Sequence, residues 1–182
     1  MRIIDLTAEN ESAVQQAAAL LVELLPEGWP TMEAALQEVR ESLAPGRISR
    51  IALEGEAVLG WVGGLERYRG HVWELHPLVV RRERQRQGIG RALVADLEGR
   101  VRERGGNTLF VGADDERGET SLAGIDLYPD PLEHVRRIRN VSGHAYEFYQ
   151  KLGYVIVGVV PDANGFGKPD IYLAKRIAPP KE

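Results

Sequence analysis

The chain contains no cysteine. That excludes a disulfide framework, a thiolate nucleophile and a Cys-ligated zinc. The four histidines, His71, His76, His134 and His144, show no HExxH spacing, so no metal is expected. No apolar run approaches the roughly 18–20 residues that span a bilayer. The opening Met1-Arg2-Ile3-Ile4-Asp5 lacks the apolar stretch of a signal peptide. A cytoplasmic location without membrane association is therefore expected. Excess positive charge is missing as well, because the net charge is −4. Arginines gather at Arg81–Arg91 and Arg136–Arg139, yet the acidic total argues against nucleic acid as a partner. It suits a cationic small substrate.

What remains is an ordinary globular composition. Of the 182 residues, 43% are hydrophobic and 27% charged, which fits one domain with a real core. Arg2–Leu6 reads as a strand. Asn10–Leu25 and Met32–Leu43 carry helical spacing, the second behind a capping Thr31. Arg47–Leu53 and Ala57–Tyr68 read as paired strands, and His71–Val80 as the next. Gly88–Arg104 is a helix with Ile89, Leu93, Leu97 and Val101 on one face. Thr108–Gly112 is a short strand, followed by a polar stretch, Asp114–Asn140, with a brief helix near Leu132–Arg137. A stretch that long is usually functional. His144–Leu152 is a helix closed by Gly153, and Tyr154–Pro161 and Ile171–Arg176 are strands. Helices and strands interleave without linker or repeat, which predicts a single α/β domain over residues 1–182.

Between the strand His71–Val80 and the helix lies Gln85-Arg86-Gln87-Gly88-Ile89-Gly90-Arg91. Glycines there let backbone approach a ligand. The unpaired first N–H groups of a helix, with its dipole, make an anion site. Arg86 and Arg91 add positive charge. The glycines do not belong to a P-loop, which needs GxxxxGK[ST]. They do not make a dinucleotide fingerprint either, since Leu93 stands where its third glycine belongs.

On the preceding strand, Glu74, His76, Leu78 and Val80 share one face and Trp73, Leu75, Pro77 and Val79 the other. A carboxylate and an imidazole on one strand face need partners, either each other, an arginine or a ligand. Pro77 removes a ladder donor and predicts a bulge or splayed edge.

Gln85-x-x-Gly88-x-Gly90 matches the (Q/R)xxGx(G/A) turn of GNAT acetyltransferases. Trp73-Glu74-Leu75-His76-Pro77-Leu78-Val79-Val80 resembles the equivalent strand of aminoglycoside 6'-N-acetyltransferases of the enterococcal type. So do Gly105-Gly106, Gly112-Ala113-Asp114-Asp115, Asp126-Leu127-Tyr128, Tyr146 through Tyr154, Val157-Gly158-Val159 and Lys168-Pro169-Asp170-Ile171. The likeness runs from about Trp61 onward. The N-terminal third shares only the order of elements and Pro26-Glu27.

The resemblance implies a mixed, mostly antiparallel sheet flanked by helices and splayed around the CoA site. It implies acetyl-CoA as co-substrate, a primary amine as acceptor, and a homodimer, with Ile171–Arg176 as a contact strand. By the same resemblance Glu74 is the base that takes the amine's proton. His76 orients Glu74, contacts the acceptor or relays the proton, and the Leu78 N–H faces the thioester carbonyl. Val79 and Val80 pair with the pantetheine arm, while residues 85–91 (Gln85, Arg86, Gln87, Gly88, Ile89, Gly90, Arg91) take the pyrophosphate. Tyr149 gives the leaving thiolate its proton or simply packs in the core. Asn140 and Ser142 contact CoA or cap the helix that follows. Glu27, Trp29, Asp114 and Asp115 are the acceptor-site candidates. The acceptor is an aminoglycoside amine, with a small polyamine or a peptide amine as rivals. A non-catalytic acetyl-CoA-binding module is a further alternative.

Overall fold

The computed structural model describes residues 1–179. The chain divides into two compact units, Met1–Asn107 with the tail from Ile177, and Thr108–Arg176.

The first unit holds β1 (Arg2–Asp5), α1 (Glu11–Leu24), α2 (Met32–Glu41), β2 (Arg47–Glu54), β3 (Ala57–Arg67), β4 (Val72–Val80) and α3 (Ile89–Glu103). Its strands run in the order β1-β2-β3-β4, and every pairing is antiparallel. The helix starts fall where capping chemistry puts them. The Asn10 side chain accepts from the Ala13 N–H, and Thr31 from the Ala34 N–H. Ala13, Val14, Ala17, Ala18 and Leu21 of α1 and Ala35 and Val39 of α2 form the buried stripes. They pack with Ile51, Val58, Trp61 and Val79 of the sheet. Polar atoms inside are paired: the Trp61 Nε1–H donates to Ser49 Oγ at 2.9 Å, and Ser42 Oγ donates to the Val39 carbonyl at 2.6 Å. Arg50, buried on β2, bonds Asp96 of α3 at 2.7 Å and Asp5 of β1 at 2.6 Å.

Between β3 and β4 the register slips. Val62 pairs with Leu78 and Gly64 with Leu75, so β4 spends two residues, His76 and Pro77, against Gly63 alone. The expected bulge is therefore present, at a cis His76–Pro77 peptide. A side chain on Gly63 would collide with the His76 carbonyl.

The second unit holds β5 (Thr108–Asp114), α4 (Pro131–Arg136), α5 (Tyr146–Lys151), β6 (Val155–Val160) and β7 (Asp170–Arg176). β7 lies between β5 and β6, antiparallel to both. Both its edges are thus occupied, so edge-to-edge pairing with a second copy is not open to it. Three elements differ by two residues at one end from the sequence reading. α2 stops at Glu41 rather than Leu43. β5 runs two residues further, to Asp114. α5 starts at Tyr146 rather than His144, because the His144 ring turns back and its Nδ1 accepts from the Tyr146 N–H at 3.2 Å.

Candidate active site

β4 keeps its alternation through the bulge. Trp73, Leu75, Pro77 and Val79 are buried, while Glu74, His76, Leu78 and Val80 are half-buried on the other face. Glu74 meets Arg67 of β3, whose Nε and Nη2 reach its Oε2 at 2.8 and 2.7 Å. Of the readings open for Glu74, pairing with an arginine is the one observed. His76 makes no hydrogen bond among the described residues. Its ring lies 5.6 Å, centroid to centroid, from that of Trp29, which is half-buried in the α1–α2 loop. A catalytic candidate and an acceptor-site candidate from distant parts of the sequence are thereby neighbours. Glu27, two residues earlier, is exposed.

The turn that follows β4 is built from its own side chains. Gln85 Nε2 donates to the Val80 carbonyl at 3.0 Å and Gln87 Nε2 to the Glu83 carbonyl at 3.1 Å. The two glutamines therefore shape the loop. The nearby arginines divide into two groups. Arg81 bonds the Val58 carbonyl and Gln16, Arg82 pairs with Glu23, and Arg84 forks onto Glu54 at 2.8 and 3.0 Å. Arg86 and Arg91 are exposed and have no partner among the described residues. Gly88 precedes α3 at φ 87°, with open space where a side chain would stand. Glycine is needed there for the left-handed backbone, not for room. No side chain caps α3, whose first N–H groups at Ile89, Gly90 and Arg91 are left for an anion. A 15-residue helix start beside two unpaired guanidinium groups fits a pyrophosphate.

In the second unit, Tyr149 is buried on α5 and packs edge-on against Phe148 and Tyr154, at 5.1 and 5.7 Å between centroids. Burial pushes its phenol well above the ordinary tyrosine value. Its hydroxyl makes no hydrogen bond among the described residues. Of the two readings of this residue, core packing is the one observed, and burial favours the protonated phenol.

The paired aspartates separate. Asp115 is fully buried, and its two oxygens accept from the Glu119 and Thr120 N–H groups at 2.7 and 2.8 Å. Its carboxylate ties down the start of the 115–140 stretch, so its acceptor capacity is spent on backbone. Asp114 is exposed, accepts from Asn164, and its carbonyl bonds the His144 ring at 3.1 Å. Asn140 also turns inward on its own loop. Its Oδ1 accepts from the Gly143 and His144 N–H groups, and its Nδ2 donates to the His144 carbonyl. Ser142 is exposed and caps nothing, since α5 has Ala145 at its cap position without a side-chain bond. Among the described residues no cluster of His, Asp or Glu could hold a metal ion. Among the described residues no helix is long and apolar enough to cross a membrane.

Sequence reasoning overlooked Arg67 and His144. The signal for Arg67 was the strand register, which places it two residues past the partner of Glu74. The contact of His144 with the end of β5 carried no local signal, because the Asp114 carbonyl lies thirty residues away in sequence.

A strand carrying a carboxylate and an imidazole, running into an uncapped helix start beside exposed arginines, fits an enzyme that handles a phosphate-bearing ligand. The chain belongs to the GNAT acetyltransferase family, whose model matches residues 14–128. Its acetyl donor is accordingly acetyl-CoA. Among solved structures, the chain is similar to an aminoglycoside 6'-N-acetyltransferase complexed with coenzyme A, 41% identical over 100% of both chains with a TM-score of 0.95. An aminoglycoside 6'-N-acetyltransferase from Enterococcus faecium matches at 41% identity over 100% of both chains, TM-score 0.92. An aminoglycoside 6'-acetyltransferase type Ii matches at 37% over 100% of both, TM-score 0.78. No curated protein matches the chain.

Proposed function

We propose that the chain is one domain over residues 1–182 that acetylates the 6'-amine of an aminoglycoside, a polycationic small molecule. The reading rests on one observation: 41% identity along the whole of an enzyme of that activity. Acetyl-CoA, when bound, supplies the acetyl group on a thioester. Arg86, Arg91 and the N–H groups of Ile89–Arg91 hold its pyrophosphate, and the β4 backbone at Val79 and Val80 aligns its arm as an added strand would. Asn140 shapes the turn before α5, and exposed Ser142 remains free to touch the cofactor.

An ammonium cannot attack a carbonyl, so the acceptor must lose a proton. Glu74 takes it on Oε1, the oxygen that no described residue bonds. His76, steadied by Trp29, contacts the acceptor beside it. The Leu78 N–H lies where negative charge develops on the carbonyl oxygen. The Tyr149 phenol, kept protonated by burial, donates to the departing sulfur. A free thiol titrates near 8.5 and a free phenol near 10, so this transfer relies on placement rather than acid strength. Exposed Asp114 and Glu27 supply negative charge for further ammonium groups. Asp115 acts through the loop it holds.

Release of free CoA thiol on mixing the protein with acetyl-CoA and kanamycin or tobramycin tests the activity. Release with basic peptides or linear polyamines but with no aminoglycoside would replace the acceptor. CoA binding without release on any amine would leave only the non-catalytic module. The same activity in a living cell would confer resistance to the drug. Cytoplasmic location follows from that role, since acetyl-CoA is made and used there. A homodimer is proposed on the family resemblance. The outer strand β6, with exposed Val155 and Val157, suits such a contact better than β7. Light scattering decides it.

A further inference from the structure

Arg67 stands outside the motifs that mark the family in this sequence. It closes β3 and places two nitrogens of one planar group on a single oxygen of Glu74, at 2.8 and 2.7 Å. Oε1 of Glu74 receives no hydrogen bond among the described residues. A hydrogen bond and an ion-pair contact from one rigid group leave the carboxylate less freedom than one flexible contact would. The Arg67 side chain is 49% exposed and that of Glu74 21%, so the pair contributes little to stability. Its second consequence is electrostatic, because a fixed positive charge stands beside the atom an incoming ammonium must reach.

We propose that Arg67 is a positioning residue for the acceptor. It holds Oε2 of Glu74 so that Oε1 takes the proton: the acceptor's N–H bond breaks, an O–H bond forms on Glu74, and a neutral amine remains. Its charge also disfavours acceptors that carry a further cation next to the reacting amine. The two roles act in opposite senses on the kinetic constants. Orientation supports kcat, while repulsion raises KM for a polycation. This inference rests on Glu74 being the base.

The test is steady-state kinetics of wild type, Arg67→Ala, Arg67→Lys and Glu74→Gln with kanamycin and with a sugar bearing a single 6-amino group. Arg67→Ala is expected to lower kcat on the order of ten- to a hundredfold. It should also lower KM for kanamycin severalfold while barely moving KM for the monoamine. Arg67→Lys, which keeps the charge but not the fork, should hold the wild-type KM and recover only part of kcat. Thermal midpoints should stay together; if Arg67→Ala melts early, Arg67→Lys and Arg67→Gln carry the comparison. An unchanged kcat in Arg67→Ala, or kcat and KM worsening together for both acceptors, overturns the proposal. Full activity of Glu74→Gln would overturn the base assignment itself. An inactive Glu74→Gln beside a fully active Arg67→Ala would overturn only the role of Arg67.

Discussion

The indole of Trp29 and the imidazole of His76 lie 5.6 Å apart, centroid to centroid, with their planes tilted by 48°. This contact joins the α1–α2 loop, where the sequence resembles its family least, to β4, where it resembles it most. An aromatic pair of this kind contributes about 0.5–1.5 kcal/mol beyond the area it buries. With no hydrogen bond to the His76 ring among the described residues, its observed aromatic contact is with Trp29. Trp29→Ala is therefore expected to raise KM for the amine acceptor while leaving KM for acetyl-CoA unchanged. Equal rises in both constants would mean that the loop supports the whole first unit instead.

Arg86 and Arg91 are the cations of the turn without partners among the described residues, whereas Arg84 is bound to Glu54. A charge-assisted bond to phosphate contributes about 1.5–3 kcal/mol. Arg86→Ala and Arg91→Ala should each weaken CoA binding roughly 10- to 100-fold in calorimetry, the loss shrinking as salt is added. Arg84→Ala should leave CoA affinity near wild type. A loss there as large as that of Arg86→Ala would show that net charge, not local contact, holds the donor.

Burial raises the Tyr149 phenol above its ordinary value, and this gives stability a pH dependence of definite sign. An unfolded tyrosine ionises near pH ~10. Above that pH the unfolded chain sheds its proton while the folded chain keeps it, so folding loses ground as pH rises. Below it the contribution is fully present. Urea unfolding at pH 8 and pH 11 should show wild type losing about 1.4 kcal/mol more than Tyr149→Phe for the unit above pH ~10. Tyr149→Phe should also lower kcat at pH 7.5 with little change in CoA affinity.

Asp115 places both oxygens on backbone amides, and its neighbour Asp114 does not. Asp115→Ala should cost about 2–4 kcal/mol, since charge-assisted bonds to buried amides are lost, and should open residues 116–128 to protease. Asp114→Asn should leave the melting point unchanged and raise KM for a polycationic acceptor. If Asp115→Asn raised that KM without loss of stability, Asp115 would belong to the acceptor site after all.

Breaking the buried cluster around Arg50 tests the sheet that carries β4. Arg50→Met leaves Asp96 and Asp5 without their cation. A loss of about 3 kcal/mol is expected, or roughly 6–12 °C in Tm for a chain of this size. CoA affinity measured well below that Tm should be retained.

Much of this was legible from short-range chemistry. Thr31 caps a helix because its side chain reaches an N–H three residues on, which spacing alone encodes; the cap at Asn10 emerges only from the structure. The two faces of β4 followed from its period of two, and the slip at His76–Pro77 from a residue without a ladder N–H. The turn at Gly88 followed from a glycine before a helical stripe. These features depend on neighbours within a few residues, so the sequence by itself determined them, together with the family.

Tertiary structure decided which side chains are free. Nothing local distinguishes Arg84 from Arg86, yet one is held by Glu54, thirty residues away in sequence, and the other has no partner among the described residues. Nothing local distinguishes Asp114 from Asp115, yet only one faces solvent. Arg67 meets Glu74, and Trp29 meets His76, because strand register and loop path bring together charges and rings that no periodicity links. A side chain's chemistry is set by what folding leaves it to bond, and that accounting closes only in three dimensions.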